Sequence, residues 1–510
     1  MSYLRVTLRN AFSNWSNIAI SLVVSFFLSP FILHKIGNTY FGLWAVVSQF
    51  TGYLWLMDFG VRGSVIKYVA EYHEKKDFET LNNIINASLK LYSAICLACL
   101  AVTCLLAALF PYIFTKAADV TTIARMLVII TGVDIAQSFV FNVFIGIVMG
   151  LQRYDVFSKV SVVLTIVRGL LTLLFLSMGY GVVSVCLIQL LANTCMNLVI
   201  YAVSRRLLSF KLNFLKFGKG RSIYRLIINY SYFVFLNCLA AQIFSFSSNF
   251  IIAFFLPVSA VTFYTIAASL IEYMKKVIIA GTQAFGPMTS QLDAKNDSSM
   301  ITTLLFNGSK ISLLLGLPVG IVYLVLGKQF IRLWMGFEYG DSTGNILAVL
   351  TVMTLFSLPH YTISSILLGL NKHHLTAYCR LAEAIVNICL SVILTRHMGI
   401  LGTALGVAIP HLIMVIFILP VLVTKIMRVR LSDYLRHSYY GPLISALPFA
   451  LACFLVGTFF SPNSLLTFFV EVMVLLPVYI VTAWFFAISK EDRQLCKKTI
   501  YALAPSALGR

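Results

Sequence analysis

EYHEKKDFETLNNIINASLK (residues 71–90) and QLDAKNDSSMITTLLFNGSK (residues 291–310) stand about 220 residues apart and share one pattern: a charged turn, then an apolar run with a single lysine inside it. The shift pairs Lys75 with Lys295, Asp77 with Asp297 and Lys90 with Lys310. Nearly the same offset brings Gly150-Leu-Gln-Arg-Tyr onto Gly369-Leu-Asn-Lys-His, and Met178-Gly-Tyr-Gly onto Met398-Gly-Ile-Leu-Gly. A common offset over three separate stretches is the mark of an internal repeat. Each copy holds six apolar runs, an even number, so corresponding helices run the same way and the copies are parallel repeats about an axis along the membrane normal.

The 510 residues are 60% hydrophobic and 11% charged, against roughly 45–50% and about 25% for a soluble domain. That excludes an ordinary water-soluble protein. Apolar content on this scale fills on the order of fourteen spanning helices at about 20 residues each. Runs bounded by charged or Gly/Pro/Asn turns place them near 12–34, 41–68, 82–108, 122–150, 160–178, 181–203, 226–255, 258–284, 301–327, 345–369, 379–397, 400–424, 439–460 and 464–488. The expected fold is an all-α polytopic membrane protein. Residues 1–210 make the first six-helix lobe, 211–225 a basic linker, 226–424 the second lobe, and 425–510 helices 13 and 14 with a tail.

Arg5 and Arg9 precede a long apolar run with no small-x-small cleavage site, which reads as an uncleaved first helix. The ten cysteines include Cys96, Cys99, Cys104, Cys186 and Cys195 within apolar runs, so free thiols are expected. The sequons at Asn86 and Asn307 fall in or beside spans and are chance matches.

Lys and Arg number 38 against 18 acidic residues, a net charge of +20. In a soluble chain this would suggest nucleic acid; here the basic residues segregate by loop. About 27 fall on the side of the termini, among them Arg205, Arg206, Lys211, Lys216, Lys219, Arg221 and Arg225, and about six on the other. No nucleic-acid partner is called for. The asymmetry makes both termini cytoplasmic and sets the basic clusters against anionic headgroups. The far-side loops around 109–121 and 328–344 are too short for a catalytic domain.

The two six-helix lobes with two terminal helices, the stretch LWLMDFGVRGSVIKYVAEYHEKKD (54–77), the GLQRYDVFSK loop (150–159) and the Ala284-Phe-Gly-Pro-Met…Gln291-Leu loop resemble polysaccharide (O-antigen, Wzx-type) flippases. These belong to the multidrug/oligosaccharidyl-lipid/polysaccharide (MOP) exporter superfamily, and the resemblance covers nearly the whole chain. It implies a MATE-like fold, a bacterial inner membrane, and alternating access that carries an undecaprenyl-pyrophosphate-linked oligosaccharide, an O-antigen or capsule repeat unit, from the cytoplasmic to the periplasmic leaflet. It also implies glycosyltransferases and a polysaccharide polymerase as pathway partners.

An ionised group at the bilayer centre costs about 2.5–3.5 kcal/mol on insertion scales, so each one needs a partner or a wet cavity. Asp58 with Arg62 (i,i+4), Arg380 with Glu383 (i,i+3), and Glu272 with Lys275 and Lys276 share helix faces as local pairs. Asp134 and Arg168 lie at similar depth on consecutive helices and are placed to pair across them. Glu471 stands in the last span. Lys90 and Lys310 have no acidic residue one turn away on their own helices and occupy equivalent places in the repeats. About two turns inside their apolar runs, they can snorkel to headgroups. With Lys275, Lys276 and Arg168 they also make a cationic lining suited to a pyrophosphate. Asn17, Asn237 and Gln242 are candidate sugar contacts, the first two coinciding at the repeat offset; such polar groups also glue helices together.

Asp134, Glu272, Glu383, His360 and His411 are the groups able to couple transport to a proton, or the carboxylates to sodium, and sequence does not rank them. Asp58, Arg62 and Arg380 are candidate gating residues. No other cofactor and no metal are expected. Gly146-x-x-x-Gly150 and Gly402-x-x-x-Gly406 allow close helix contact, and Pro257, Pro287, Pro318, Pro359, Pro410 and Pro420 can bend helices. No P-loop, no HExxH motif and no metal-ligand cluster is present, which speaks against an ATPase, a metalloenzyme or a membrane polymerase. A multidrug exporter of the same superfamily would want an acidic cavity, whereas the leftover charge is cationic. Reporter fusions test the topology: one that matures only outside the cytoplasm is expected to be active after residues 118 or 340 and inactive after residues 75 or 215.

Overall fold

The computed structural model describes residues 3–113, 120–208, 247–282, 285–370, 372–460, 462–488 and 493. The basic linker 211–225, Asn237, Gln242, most of the run 226–255 and the tail lie outside these residues. Among the described residues the protein is helical throughout, with no strand. Eleven of its helical segments are long and apolar enough to cross a membrane. The chain is a multi-pass membrane protein.

The elements are α1 (Tyr3–Gly52), α2 (Val61–Glu74), α3 (Phe78–Ile113), α4 (Thr121–Gly150), α5 (Tyr154–Ser177), α6 (Val182–Leu207), α7 (247–255), α8 (Val258–Thr282), α9 (Phe285–Ala294), α10 (Ser298–Val325), α11 (Gly327–Trp334), α12 (Gly340–Gly369), α13 (His373–Met398), α14 (Ile400–Ile413), α15 (Leu419–Met427), α16 (Leu431–Leu435), α17 (Gly441–Phe459) and α18 (Leu465–Phe486). The chain divides into two compact units, residues 1–265 with 388–403 and residues 266–387 with 404–510.

In the first unit α3 packs on α4, α4 on α6, α1 on α5 and α2 on α4. Val65, Val69, Ile85, Tyr92, Phe139 and Val143 are at the heart of its core. At the Gly146/Gly150 pair a Cβ at Gly146 would lie 2.7 Å from Val65, and one at Gly150 2.8 Å from Val69 and 2.9 Å from the Ile66 carbonyl. These glycines let α4 lie directly against α2, the close packing that their spacing suggests.

Two expected boundaries differ. The runs 12–34 and 41–68 meet in one helical stretch, α1, kinked at Gly37 (φ 77, ψ 170), a conformation open to a residue without Cβ. The run 41–68 is not one helix: it tightens into a 3-10 segment over Tyr53–Asp58, reverses through left-handed Phe59 (φ 47) and Gly60 (φ 76), and restarts as α2. Apolar content alone conceals such a break, since Leu54 and Val61 are buried on either side of it.

In the second unit α10 packs on α12 and α17, and α17 on α18. Gly308 faces Thr362 and Phe285, and Gly316 faces Leu358. Ser312 and Thr362 share a hydrogen bond at 3.0 Å, Tyr479 of α18 donates to the Leu314 carbonyl at 2.8 Å, and Thr482 donates to the Ser445 carbonyl at 2.7 Å. Outward faces of α17 and α18 expose Leu447, Leu451, Phe454, Leu466, Met473 and Val474, as spans bathed in lipid do.

The repeated sequences build the same local structure twice. After α2, Lys76 turns left-handed (φ 56), Asp77 N–H reaches back to the Tyr72 carbonyl, and the Asp77 carboxylate accepts from Thr80 N–H at 3.0 Å to cap α3. After α9, Asn296 (φ 57), the Asp297 N–H to the Leu292 carbonyl, and Met300 N–H to Asp297 at 3.0 Å repeat each step. Those hydrogen bonds hold both carboxyls below the ordinary aspartate range. The other matched turns agree: Arg153 N–H to Val148 O corresponds to Lys372 N–H to Leu367 O, and Gly179 (φ 91) to Gly399 (φ 62).

Gly150→Ala is expected to cost about 1–3 kcal/mol by forcing α4 off α2, read as a lower thermal midpoint of the purified protein. Gly181→Ala, with nothing within 4 Å of the added Cβ, should leave the midpoint nearly unchanged.

Candidate functional site: buried polar clusters inside the spans

In the first unit the broken segment delivers Asp58 into the core. Tyr92 Oη of α3 donates to Asp58 Oδ1 at 2.5 Å, and the Tyr92 ring, fully buried, stacks on Phe139 of α4. The expected Asp58–Arg62 pair is not made. Its i,i+4 spacing presumes one helix, and the reversal at Phe59–Gly60 turns the two side chains apart; Arg62 acts on the carboxylate at longer range only.

Asp134 of α4 is held by amides. Asn193 Nδ2 of α6 donates to Oδ2 at 2.7 Å and Gln137 Nε2 to Oδ1 at 3.3 Å, while Gln137 also bonds Thr194 Oγ1 at 2.9 Å. The expected contact with Arg168 of α5 is replaced by this amide cage, and the guanidinium contributes attraction over a longer distance. Asn17 of α1 is half-buried, and its Oδ1 has no hydrogen-bond partner among the described residues.

In the second unit Glu272 and Lys275 of α8 pair at 3.0 Å as their spacing indicates, Lys275 largely buried and Glu272 mostly exposed; Lys276 faces outward. Arg380 and Glu383, one turn apart on α13, do not pair with each other. Arg380 Nη2 donates to His360 Nε2 of α12 at 2.6 Å, where Ser364 Oγ lies at 3.1 Å, and Glu383 Oε1 pairs with His411 Nδ1 of α14. The Glu383 and His411 side chains are 4% and 13% exposed. Guanidinium nitrogens only donate, so His360 Nε2 accepts and its proton sits on Nδ1, which is buried without a partner among the described residues. Tyr361 lies within electrostatic reach of Lys275, Glu272 and Arg380.

Lys90 and Lys310 stand at the same point of their helices, twelve residues beyond Phe78 and Ser298. That is about 18 Å along the axis from each helix start. Lys90 faces outward and Lys310 is half-buried. Sequence reading missed Tyr92, Gln137 and Asn193, the neutral donors that satisfy the acids. The available signal was each polar residue in an apolar run, but Tyr92 and Asn193 lie 34 and 59 positions from the acids they serve, and Gln137, three positions from Asp134, was passed over. Among the described residues no group of three His, Cys, Asp or Glu could hold a metal ion, and the described cysteines are free.

An all-helical, multi-pass body with charged groups held inside its spans defines a polytopic α-helical membrane protein. The chain belongs to the polysaccharide biosynthesis protein family, whose profile matches residues 7–293. Over 185 residues, 36% of the chain, it is 26% identical to the probable low-salt glycan biosynthesis flippase Agl15 of Haloferax volcanii; the match spans 39% of that protein's length. The lipid II flippase MurJ, in an inward closed conformation, superimposes with a TM-score of 0.72 at 18% identity, over 94% of this chain and 98% of that one. An inward-facing multidrug resistance MATE family transporter of the MOP superfamily gives 0.69 at 16% identity, over 83% and 98%. The fold is therefore MurJ- and MATE-like; the resemblance implied the MATE-like architecture.

Tyr92→Phe removes the hydroxyl that satisfies buried Asp58 and keeps the ring. It is expected to cost about 1–3 kcal/mol, measured as a lower midpoint of thermal unfolding.

Proposed function

We propose that the protein is a flippase for lipid-linked oligosaccharide. In this reading it carries an undecaprenyl-pyrophosphate-linked repeat unit from the cytoplasmic to the periplasmic leaflet of a bacterial inner membrane, by alternating access of two six-helix lobes, with both termini cytoplasmic. The observation that carries the reading is the family profile match over 7–293, supported by the glycan flippase to which part of the chain is similar. Charges inside the spans are consistent with it: a chain that only anchored something would have no reason to bear the cost of buried Asp134 and Glu383 and half-buried Asp58 and Arg380.

The pyrophosphate is the part of the substrate most opposed to the bilayer interior. Lys90, Lys310, Lys275, Lys276 and Arg168 are the residues proposed to contact it, lysine serving as a mobile point charge. Asn17, with a buried acceptor lacking a partner, is proposed to meet sugar hydroxyls, as are Asn237 and Gln242. Asp58, Arg62 and Arg380 gate, and a proton or sodium ion supplies the driving force through Asp134, Glu272 or Glu383. Glycosyltransferases supply the substrate and a polymerase consumes it.

Complementation of a deletion strain tests this. Wild type should restore surface polysaccharide. At matched expression, Lys90→Ala, Lys310→Ala and Lys275→Ala/Lys276→Ala should each leave lipid-linked oligosaccharide on the cytoplasmic leaflet, with transport down about tenfold or more, the worth of a charge-assisted hydrogen bond. Normal polysaccharide in a deletion strain with no second flippase would overturn the reading and put drug export in its place.

A further inference from the structure

We infer that the Glu383–His411 pair of the second unit is the proton-binding site of the transport cycle, an inference that rests on the transport reading above. The described carboxylates in the spans differ in what they touch. Asp134 is caged by Asn193 and Gln137, and Asp58 by Tyr92, partners that neither gain nor lose a proton near neutral pH. Glu272 is mostly exposed and tied to a lysine. Glu383 alone among them is bonded to an imidazole, and both side chains are well buried.

The chemistry of that contact suits reversible proton uptake. His411 bonds Glu383 through Nδ1, so Nδ1–H donates to the carboxylate whether Nε2 carries a proton or not. Protonation at Nε2 therefore converts a hydrogen bond into an ion pair without breaking it, and adds one positive charge to the cluster. His360 is unsuited to the same task. Arg380 holds its Nε2 as an acceptor, and a second proton would destroy that contact. The groups facing the pair are His360 of α12, Arg380 and Cys379 of α13, and, through Arg380 and Tyr361, Lys275 and Glu272 of α8.

This donor set also names the ion. A hard metal cation needs a shell of oxygen ligands, whereas one carboxylate oxygen, two imidazoles and the cationic Arg380 and Lys275 offer no such shell. The element attached to His411 is built to respond. Pro410 precedes it and removes a backbone donor from α14, and one turn on the helix widens into a π turn over Met414–Ile418, whose Met414 and Val415 pack against Cys379. Charging the pair strengthens the tie between α13 and α14; discharging it weakens that tie next to a deformable segment.

The test uses the full chain in vesicles loaded with undecaprenyl-pyrophosphate-linked oligosaccharide, with translocation read by a lectin outside. With an imposed pH gradient, wild type should translocate several-fold faster than without it. Glu383→Gln and His411→Gln should run at one rate in both conditions, and Asp341→Asn, at the exposed Arg332 pair, should keep the wild-type acceleration. Acceleration retained in both pair variants, or a wild type indifferent to the gradient, overturns the proton site and leaves the flippase reading standing. No translocation by wild type in either condition overturns the flippase reading, and the inference with it. Should the variants fold poorly, nitrogen NMR of histidine-labelled wild type decides. The His411 signals should show a proton gained and lost at Nε2 with Nδ1 bonded to Glu383 throughout, and an imidazole that keeps one form under every condition in which the protein stays folded overturns the proposal.

Discussion

A charge inside a bilayer must bring its solvent with it. Tyr92 against Asp58, Asn193 and Gln137 around Asp134, His360 for Arg380 and His411 for Glu383 are those substitutes for water. Each joins two helices, so the need to satisfy one polar group fixes how those helices pack. Replacing the donor leaves a group whose desolvation costs more than its hydrogen bond ever contributes. This asymmetry ties the polar interior to the apolar packing around it: Tyr92 is both the donor to Asp58 and a fully buried ring of the core.

The two units solve the same local problem with the same devices. A left-handed residue ends one helix, a backbone hydrogen bond closes the turn, and an aspartate caps the next, at Lys76–Asp77 and again at Asn296–Asp297. Around these conserved corners the polar contents diverge. The first unit encloses Asp58 and Asp134 with neutral donors, and the second sets Glu383 against an imidazole. Equivalent frames thus hold chemically different interiors.

Helix existence was legible because a run of apolar residues long enough to span has few alternatives in lipid. The repeat was legible because turn residues are local: positive φ at Gly179 and Gly399, and a carboxylate three residues ahead of the N–H it caps, follow from neighbours in the chain. Glu272 with Lys275 was readable for the same reason. Asp58 with Arg62 and Arg380 with Glu383 were not. The first spacing is interrupted by a reversal at Phe59–Gly60, and in the second each side chain finds a better partner on another helix.

Sequence by itself therefore determined the all-helical membrane fold, the repeat with its capped turns, and which side chains carry charge inside the spans, since these follow from hydropathy and from interactions within a few residues. Tertiary structure alone decided which distant donor satisfies which acid, where α1 kinks and the second run breaks, and which carboxylate sits against an imidazole. All of those contacts but Gln137 to Asp134 join residues 20 to 59 positions apart. Their choice depends on which helix faces pack together, and only folding brings those faces into contact.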